Sequence, residues 1–318
     1  MLLFLVELIR STPYVSQHQE LSFVQWMREN NAIYSGNDYQ FRLGVWLMNM
    51  EYVNEQNRAT DSNRKTFTVG MNQFTGMTRS EYKSLLGFNK KAKTSKAEIT
   101  EKKNVVIPES LDFRERGVVN EIQNQGGCGS CWAFSAIGAM ESIHALKFGE
   151  LLKLSESNLV DCVDLCYGCE GGIMDAAYYY VHEHQDGKFM LASDYPYTPS
   201  QGTCKFDSSK AVSYLRSMNG IVSGTEDALL NSLVAYGPNA VAIDASPLNF
   251  QFYKMGVYND WTCPKDVNHA VILVGYGENF WIVRNSWGKT WGESGYVRMA
   301  RHMDGICGIT DYVVVPIA

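Results

Sequence analysis

The sequence has no excess of positive charge. Its 318 residues carry 28 Lys+Arg against 34 Asp+Glu, a net charge of -6 at pH 7. Phosphate binding usually shows a basic patch or domain, so the charge argues against nucleic acid as the partner. No apolar run reaches the ~20 residues needed to cross a bilayer, so no membrane span is expected. There is no N-x-[ST] sequon. Cysteine is absent from the first 106 residues, although eight follow. What is present is ordinary: 45% hydrophobic and 19% charged residues. That excludes a wholly disordered or fibrous chain and fits about two domains of ~100–200 residues.

The charge is unevenly placed. Residues 1–106 hold 14 basic and 10 acidic side chains, and residues 107–318 hold 14 and 24. Either the two parts attract each other, or surface charge simply varies along the chain. If the basic part docks by charge, acid should weaken it, because carboxylates on its partner become protonated. Met1-Leu2-Leu3-Phe4-Leu5-Val6 is apolar, but Glu7 and Arg10 interrupt it and no basic n-region precedes it. Residues 1–16 therefore read as a short signal peptide or as the amphipathic start of the next segment.

Residues 18–57 read as two helices. Asp38, Arg42, Trp46, Asn49, Val53 and Asn57 share one face of the second, a stripe too polar for a plain core. Phe67-Thr68-Val69 reads as a short strand leading to Gly70, Asn72 and Phe74. A helix over 78–86 would start at Thr78, with Glu81 closing a capping box. Residues 89–104 contain six lysines and little apolar periodicity, and read as a solvated linker of the kind that proteases nick. Ile107-Pro108 restarts a compact pattern, so a boundary is placed there.

The eight cysteines, at 128, 131, 162, 166, 169, 204, 263 and 307, allow two readings. The pairs Cys128-x-x-Cys131 and Cys166-x-x-Cys169 have the spacing of a zinc site, but no pair of histidines completes a finger. A disulfide framework is favoured and implies an oxidising compartment. No metal site and no cofactor are expected.

The chemistry concentrates at Gln125-Gly126-Gly127-Cys128-Gly129-Ser130-Cys131-Trp132. Glycine-rich turns lead into a long apolar helix that starts at Cys131. A helix N-terminus favours a thiolate, the reactive form of cysteine. Such a nucleophile needs a base. Of the six histidines, His18 lies in the first third, His182, His184 and His302 lie in polar surroundings, and His144 sits on the long helix. His269 opens the β-run Ala270-Val271-Ile272-Leu273-Val274, a rigid place for a base. A second strand, Phe280-Trp281-Ile282-Val283, ends at Asn285, an amide able to accept the imidazole N–H and fix its tautomer. Trp287 and Trp291 would shield that bond from water.

At these residues the chain resembles a papain-family cysteine protease of the cathepsin L group. The segment Cys128-Gly129-Ser130-Cys131-Trp132, with His269 and Asn285 far downstream, carries the resemblance. It implies an α+β, two-lobed papain-like fold: a helical lobe over about 118–215, a β-barrel-like lobe over about 216–318, and an active-site cleft between them. It implies Cys131 as nucleophile, His269 as general acid/base, Asn285 as its orienter, and Gln125 as an oxyanion donor. Residues 17–106 resemble the inhibitory prosegment of this group, on the stripe Asp38 to Asn57 and on Gly70, Asn72 and Phe74. The usual final Asp of that second motif is Gly76 here, which puts a pH-sensing role for it in doubt.

The same resemblance implies the pairs Cys128–Cys169, Cys162–Cys204 and Cys263–Cys307, leaving Cys166 as a spare thiol. It implies a substrate wall at Cys169-Glu170-Gly171-Gly172, with Gly172 and the Asn268 carbonyl pairing with a peptide backbone in the cleft beside Gly129 and Trp287. The pocket for the second residue before the scissile bond would be lined by Ile173, Met174, Ala242, Val267 and Ala270, with Tyr312 at its base. That lining predicts apolar side chains, Leu or Val over Phe, and no preference for Arg. No histidine-rich insertion blocks the cleft, so an endopeptidase made as a zymogen is expected. Its partners would be protein and peptide substrates, its own prosegment and cystatin-type inhibitors. The mature form, 107–318, would be a lysosomal, endosomal or secreted monomer. Two rival readings are a silent inhibitor or binding protein and a peptide ligase using the same thioester chemistry.

Overall fold

The computed structural model describes residues 15–59, 65–92, 98–99, 105–221 and 224–318. The apolar start of the chain lies outside them, and the first helix among them is capped by Ser16. Ser16 accepts from the Gln19 amide while the Gln19 side chain reaches back, a reciprocal pair that starts α1 (Gln17–Glu29). α2 spans Gly36–Arg58. Phe23, Trp26, Leu43 and Trp46 pack between the two helices as a small separate core.

The mixed stripe on α2 has a structural cause. Asn49 Nδ2 donates to the carbonyls of Thr75 (2.8 Å) and Met77 (3.1 Å). Asn57 both donates to Val69 O (2.8 Å) and accepts from Val69 N (3.1 Å). The polar positions thus satisfy the backbone of the segment that crosses α2, and Trp46 and Val53 fill the space between. Arg42 holds Glu81 through two bonds of 2.7 and 2.6 Å and also reaches Gly76 O. A side chain at 76 would meet the Trp26 ring at 2.5 Å, so the acid usual there has no room.

Glu81 also closes the capping box of α3 (Arg79–Ser84) with Thr78, as its spacing predicts. Its hydrogen bonds with Arg42 hold its carboxyl at about 2. A depressed carboxyl contributes its full stability above its ordinary range and loses it progressively as pH falls from there to the folded value. The Arg42–Glu81 clamp should therefore persist at pH 4–5. Glu81→Gln should speed epoxide labelling of Cys131 in the full chain by a factor that stays constant from pH 7 to pH 5. A factor that shrinks over that range would show the clamp to be an acid switch.

Strand β1 (Phe67–Val69) is followed by β2 (Glu98–Ile99) and β3 (Leu111–Asp112). The long helix α4 (Cys131–Phe148) then leads to α5 (Glu156–Cys162) and α6 (Met174–His184). After these come β4 (Lys188–Met190), β5 (Ala211–Tyr214), β6 (Ser217–Ile221), α7 (Glu226–Tyr236), β7 (Asn239–Ile243) and the short α8 (Leu248–Gln251). The chain closes with β8 (Tyr253–Tyr258), β9 (His269–Tyr276), β10 (Phe280–Arg284), β11 (Tyr296–Ala300) and β12 (Val313–Ile317). The large sheet runs β1-β8-β11-β10-β9-β7-β12-β6-β2, with β3 beside β9. Both ends of this order are strands from the first 106 residues: β1 pairs antiparallel with β8, and β2 pairs parallel with β6.

The apolar run of β9 is continuous because both its faces are buried. Ala240, Ala242, Ala270 and Ile272 face the core shared with α4, α5 and α6. Val241, Ile243, Val271 and Leu273 alternate with them and face the other core, with Trp281, Trp287 and Trp291. Small side chains on the α4 side let the helix lie close to the sheet. At their closest, a Cβ on Gly138 would meet Ile272 at 2.3 Å.

One expectation is corrected. The stretch 89–104 is not wholly a solvated linker, since Asn89 bonds in the cleft and Glu98–Ile99 adds to the sheet edge. Ladder pairing uses backbone groups that any sequence carries, so composition did not signal it. Residues 93–97 and 100–104 lie outside the described set. The spare thiol is buried, and three disulfides join Cys128–Cys169, Cys162–Cys204 and Cys263–Cys307. Cys128 and Cys169, one from each zinc-like pair, are bonded to each other, which removes the zinc alternative. Among the described residues, no helix is long and apolar enough to cross a membrane.

Candidate active site

Cys131 is the first residue of α4 and is fully buried. Ala270 N–H donates to its sulfur at 3.4 Å. His269, one residue earlier, opens β9, so a helix start and a strand start meet there. His269 Nε2 lies 2.8 Å from Asn285 Oδ1, and the same oxygen accepts from Ser286 N–H at 2.8 Å. The backbone donor at Ser286 fixes that atom as the amide oxygen, so Nε2 carries the proton and Nδ1 is left as the basic nitrogen. Nδ1 is buried and makes no hydrogen bond. Trp287 stacks on the imidazole with ring centroids 4.5 Å apart.

Gln125 is pinned by Ser286 Oγ, which donates to its Oε1 at 2.8 Å. Its Nε2 donates to Cys128 O and to Leu85 O, at 2.9 and 2.8 Å. Leu85 is the residue that ends α3, and the chain that follows it passes directly through the site. The Gly87 N–H faces the Cys131 sulfur closely enough to pull its pKa down. Gly172 N donates to Gly87 O at 2.9 Å, Asn89 N to Gly172 O at 3.0 Å, and Phe88 N to Asn268 O at 3.0 Å. Phe88 and Gly172 form a parallel bridge. Only glycine fits at 87, since a Cβ there would lie 1.7 Å from Gly129 O. Gly172 is equally confined, its Cβ position lying 2.6 Å from Cys166 Sγ. Gly171 adopts φ +113°, a backbone state that suits glycine.

Ile173, Met174, Ala242, Val267 and Ala270 come together in one apolar cluster with the Phe88 ring. Phe88 meets Tyr312 edge-to-face, with centroids 4.7 Å apart. This cluster therefore already holds an aromatic ring. Trp287 stands apart from this pocket. It lies on the far side of His269, where the prosegment residues Phe74 and Tyr82 cover it at 5.1 and 5.6 Å.

Leu85, Gly87, Phe88, Tyr82 and Ser286 went unnoticed in the sequence. A lone Gly-Phe ahead of the lysine-rich stretch was the available signal for 87 and 88. Nothing local marks a residue whose carbonyl or hydroxyl is used.

Burial under the prosegment outweighs the helix-start effect on the thiol. It pushes Cys131 up to about 11, against the pull of the N–H groups of Ala270, Gly87 and Trp132. Burial likewise lowers His269 to about 4, opposed by its bond to Asn285. Both groups are thus neutral while covered. The contacts that hold the cover are mostly neutral too. Asn72 Nδ2 donates to Gln251 O, Gln73 Nε2 to Trp287 O, and Tyr82 OH to Ala245 O, at 2.7–2.8 Å. Among the described residues the ion pair joining the two regions is Lys90–Asp266, 3.3 Å apart and exposed. Such a pair is worth little in water, so charge is not the main glue. Among the described residues no group of three or more His, Cys, Asp or Glu side chains is placed to hold a metal.

Comparison with known proteins gives two family matches. Residues 107–317 match the papain family cysteine protease model, and residues 23–82 match the cathepsin propeptide inhibitor domain. The chain is 36% identical over 319 residues to procathepsin L of Rattus norvegicus, covering 96% of this chain and 95% of that protein. It is 39% identical over 302 residues to a cathepsin L-like proteinase of Fasciola hepatica, covering 92% and 91%. Among solved structures, digestive procathepsin L 3 of Tenebrio molitor larval midgut superposes with a TM-score of 0.87 at 35% identity, covering 95% of this chain and 100% of that one. The recombinant stem bromelain precursor gives 0.85 at 34%, covering 94% and 99%.

Proposed function

The chain belongs to the papain family of cysteine proteases and carries a cathepsin-type inhibitory propeptide; from that premise we propose that it cleaves proteins through a thioester formed on Cys131. His269 Nδ1 takes the thiol proton, Asn285 holds the imidazolium through Nε2, and the Cys131 sulfur attacks the scissile carbonyl. Gln125 Nε2 donates to the oxygen as it gains charge. The protonated His269 then gives its proton to the leaving amine, and water hydrolyses the thioester. The observation that carries the reading is the bond from Gln125 to Leu85 O, since a peptide carbonyl already rests on the proposed oxyanion donor.

The prosegment escapes cleavage because it runs the wrong way. A substrate runs from the pocket towards Cys131. The prosegment runs from Leu85 beside Gln125, past Cys131 at Gly87, to Phe88 in the pocket. It presents an N–H, not a carbonyl carbon, to the sulfur. The same contacts support Gly172 and Asn268 as the residues that pair with a substrate backbone.

We assign the pocket an apolar preference, aromatic as well as aliphatic, at the second residue before the scissile bond. The disulfides support an oxidising compartment, lysosomal, endosomal or secreted. Maturation would release 107–318. Acid-treated protein, titrated with a thiol-directed epoxide and assayed on a peptide library, tests the reading. Leu, Val and Phe should be accepted at that position and Arg rejected; labelled protein without turnover would sink it. Gln125→Ala should lower kcat on the order of 10²–10³-fold with little change in KM, the signature of a donor used in the transition state.

A further inference from the structure

Beneath the pocket lies an acid that the mechanism does not use. Asp175 stands in the first turn of α6, directly after the pocket residue Met174, and is 5% exposed. Its Oδ1 accepts a hydrogen bond from the Tyr312 hydroxyl. Burial raises the pKa of this carboxyl, opposed by the Tyr312 hydroxyl and by backbone N–H groups at the start of α6. Tyr312 is thus fixed at both ends. Its carbonyl accepts from Ala242 N at 3.0 Å on β7, and its hydroxyl is tied to α6. Between these anchors its ring meets the side chain in the pocket, here Phe88, at 4.7 Å. An unanchored tyrosine in that position could swing aside, and the carboxylate behind it would then face the pocket.

We propose that Asp175 sets the selectivity of the pocket from beneath: it anchors the Tyr312 hydroxyl, so that the ring seals the floor and screens the buried carboxyl from the substrate. Asp175 is a positioning residue, and the inference rests on the assignment of this pocket to the second residue before the scissile bond. The apolar preference is then a property of the pair. The wall is apolar by composition, but the floor is apolar only while the tyrosine covers the acid. Removing the ring turns the same pocket into one with an acidic floor, suited to a cationic side chain.

The test uses the matured enzyme, with active sites counted by epoxide titration and peptides that differ only at this position. Tyr312→Ala should raise kcat/KM for Arg relative to Leu by about 10-fold or more, carried by KM, because a desolvated opposite charge becomes reachable. Tyr312→Ala with Asp175→Asn should lose that gain. Tyr312→Phe keeps the ring but not the anchor, and should shift the Phe-to-Leu ratio by about 10-fold, the worth of a hydrogen bond to a charged group. Asp175→Asn alone keeps an acceptor for the hydroxyl and should keep the wild-type ratio. An Arg gain that survives in the double variant, or no gain in Tyr312→Ala, overturns the proposal. If Tyr312→Ala does not fold, an unchanged ratio in Tyr312→Phe overturns it. Wild-type enzyme that labels but does not turn over the Leu peptide would instead overturn the functional reading.

Discussion

Cys131→Ala should abolish peptide hydrolysis, lowering kcat on the order of 10⁶-fold, about what removal of a nucleophile costs in serine proteases. The residual rate should be that of a site that still binds and polarises a carbonyl but has nothing to attack it with. The fold should survive. Cys131 lies in α4, where alanine is the better helix former, and its neighbours Ala133 and Ala136 are small apolar residues of the same core. Loss of one sulfur leaves a gap of about one heavy atom, so the thermal midpoint should change little. The assay is turnover of a Leu-containing fluorogenic peptide by acid-treated protein, beside circular dichroism of the unprocessed chain. Turnover within 100-fold of wild type would remove Cys131 from the mechanism. His269→Ala should be nearly as severe, because the two residues act as a unit and their losses do not add.

Gly87→Val should open the zymogen. A Cβ at this position lies 1.7 Å from the Gly129 carbonyl oxygen, and both partners are backbone, so no rotamer change relieves the clash. The strain must be met by lifting residues 85–89 from the cleft, which breaks the bonds to Gln125, Gly172 and Asn268. Overpacking typically costs about 1–3 kcal/mol, which corresponds to roughly 5–150-fold weaker closure of the cleft. Two consequences follow. Epoxide labelling of Cys131 in the unprocessed chain should accelerate by about that factor. It should also become steeply dependent on His269, because uncovering restores solvent to both groups and removes the burial that keeps thiol and imidazole neutral. Docking at α1, α2 and β1 should persist, since those contacts lie elsewhere. Equal labelling rates in Gly87→Val and wild type would mean that the cleft segment is not what guards the thiol.

Much of the site was legible from residue types and spacing. Cys131 after two glycine turns, His269 at the head of an apolar strand and Asn285 at the end of the next each have a local signature. The stripe on α2 was legible as a face but not as a function. Only the packed structure shows that Asn49 and Asn57 serve the backbone of 69–77 and that Arg42 is claimed by Glu81. The charge asymmetry suggested an electrostatic dock, yet the observed contacts are chiefly amides, hydroxyls and aromatic rings. Net charge reports long-range attraction. It does not say which atoms touch.

What the sequence determined by itself is the chemistry and its placement on elements: nucleophile on a helix start, base on a strand start, and the periodicities that bury both. These follow from local rules, the 3.6- and 2-residue repeats and the capping of ends. What only the tertiary structure decided is direction and cover. The backward passage of residues 85–89, the closing of both sheet edges by β1 and β2, and the buried acid under Tyr312 all depend on backbone groups or on residues 40 to 200 positions apart. A carbonyl or an N–H is the same in every residue. Which one meets Gln125 or the Cys131 sulfur is settled only when the chain has folded.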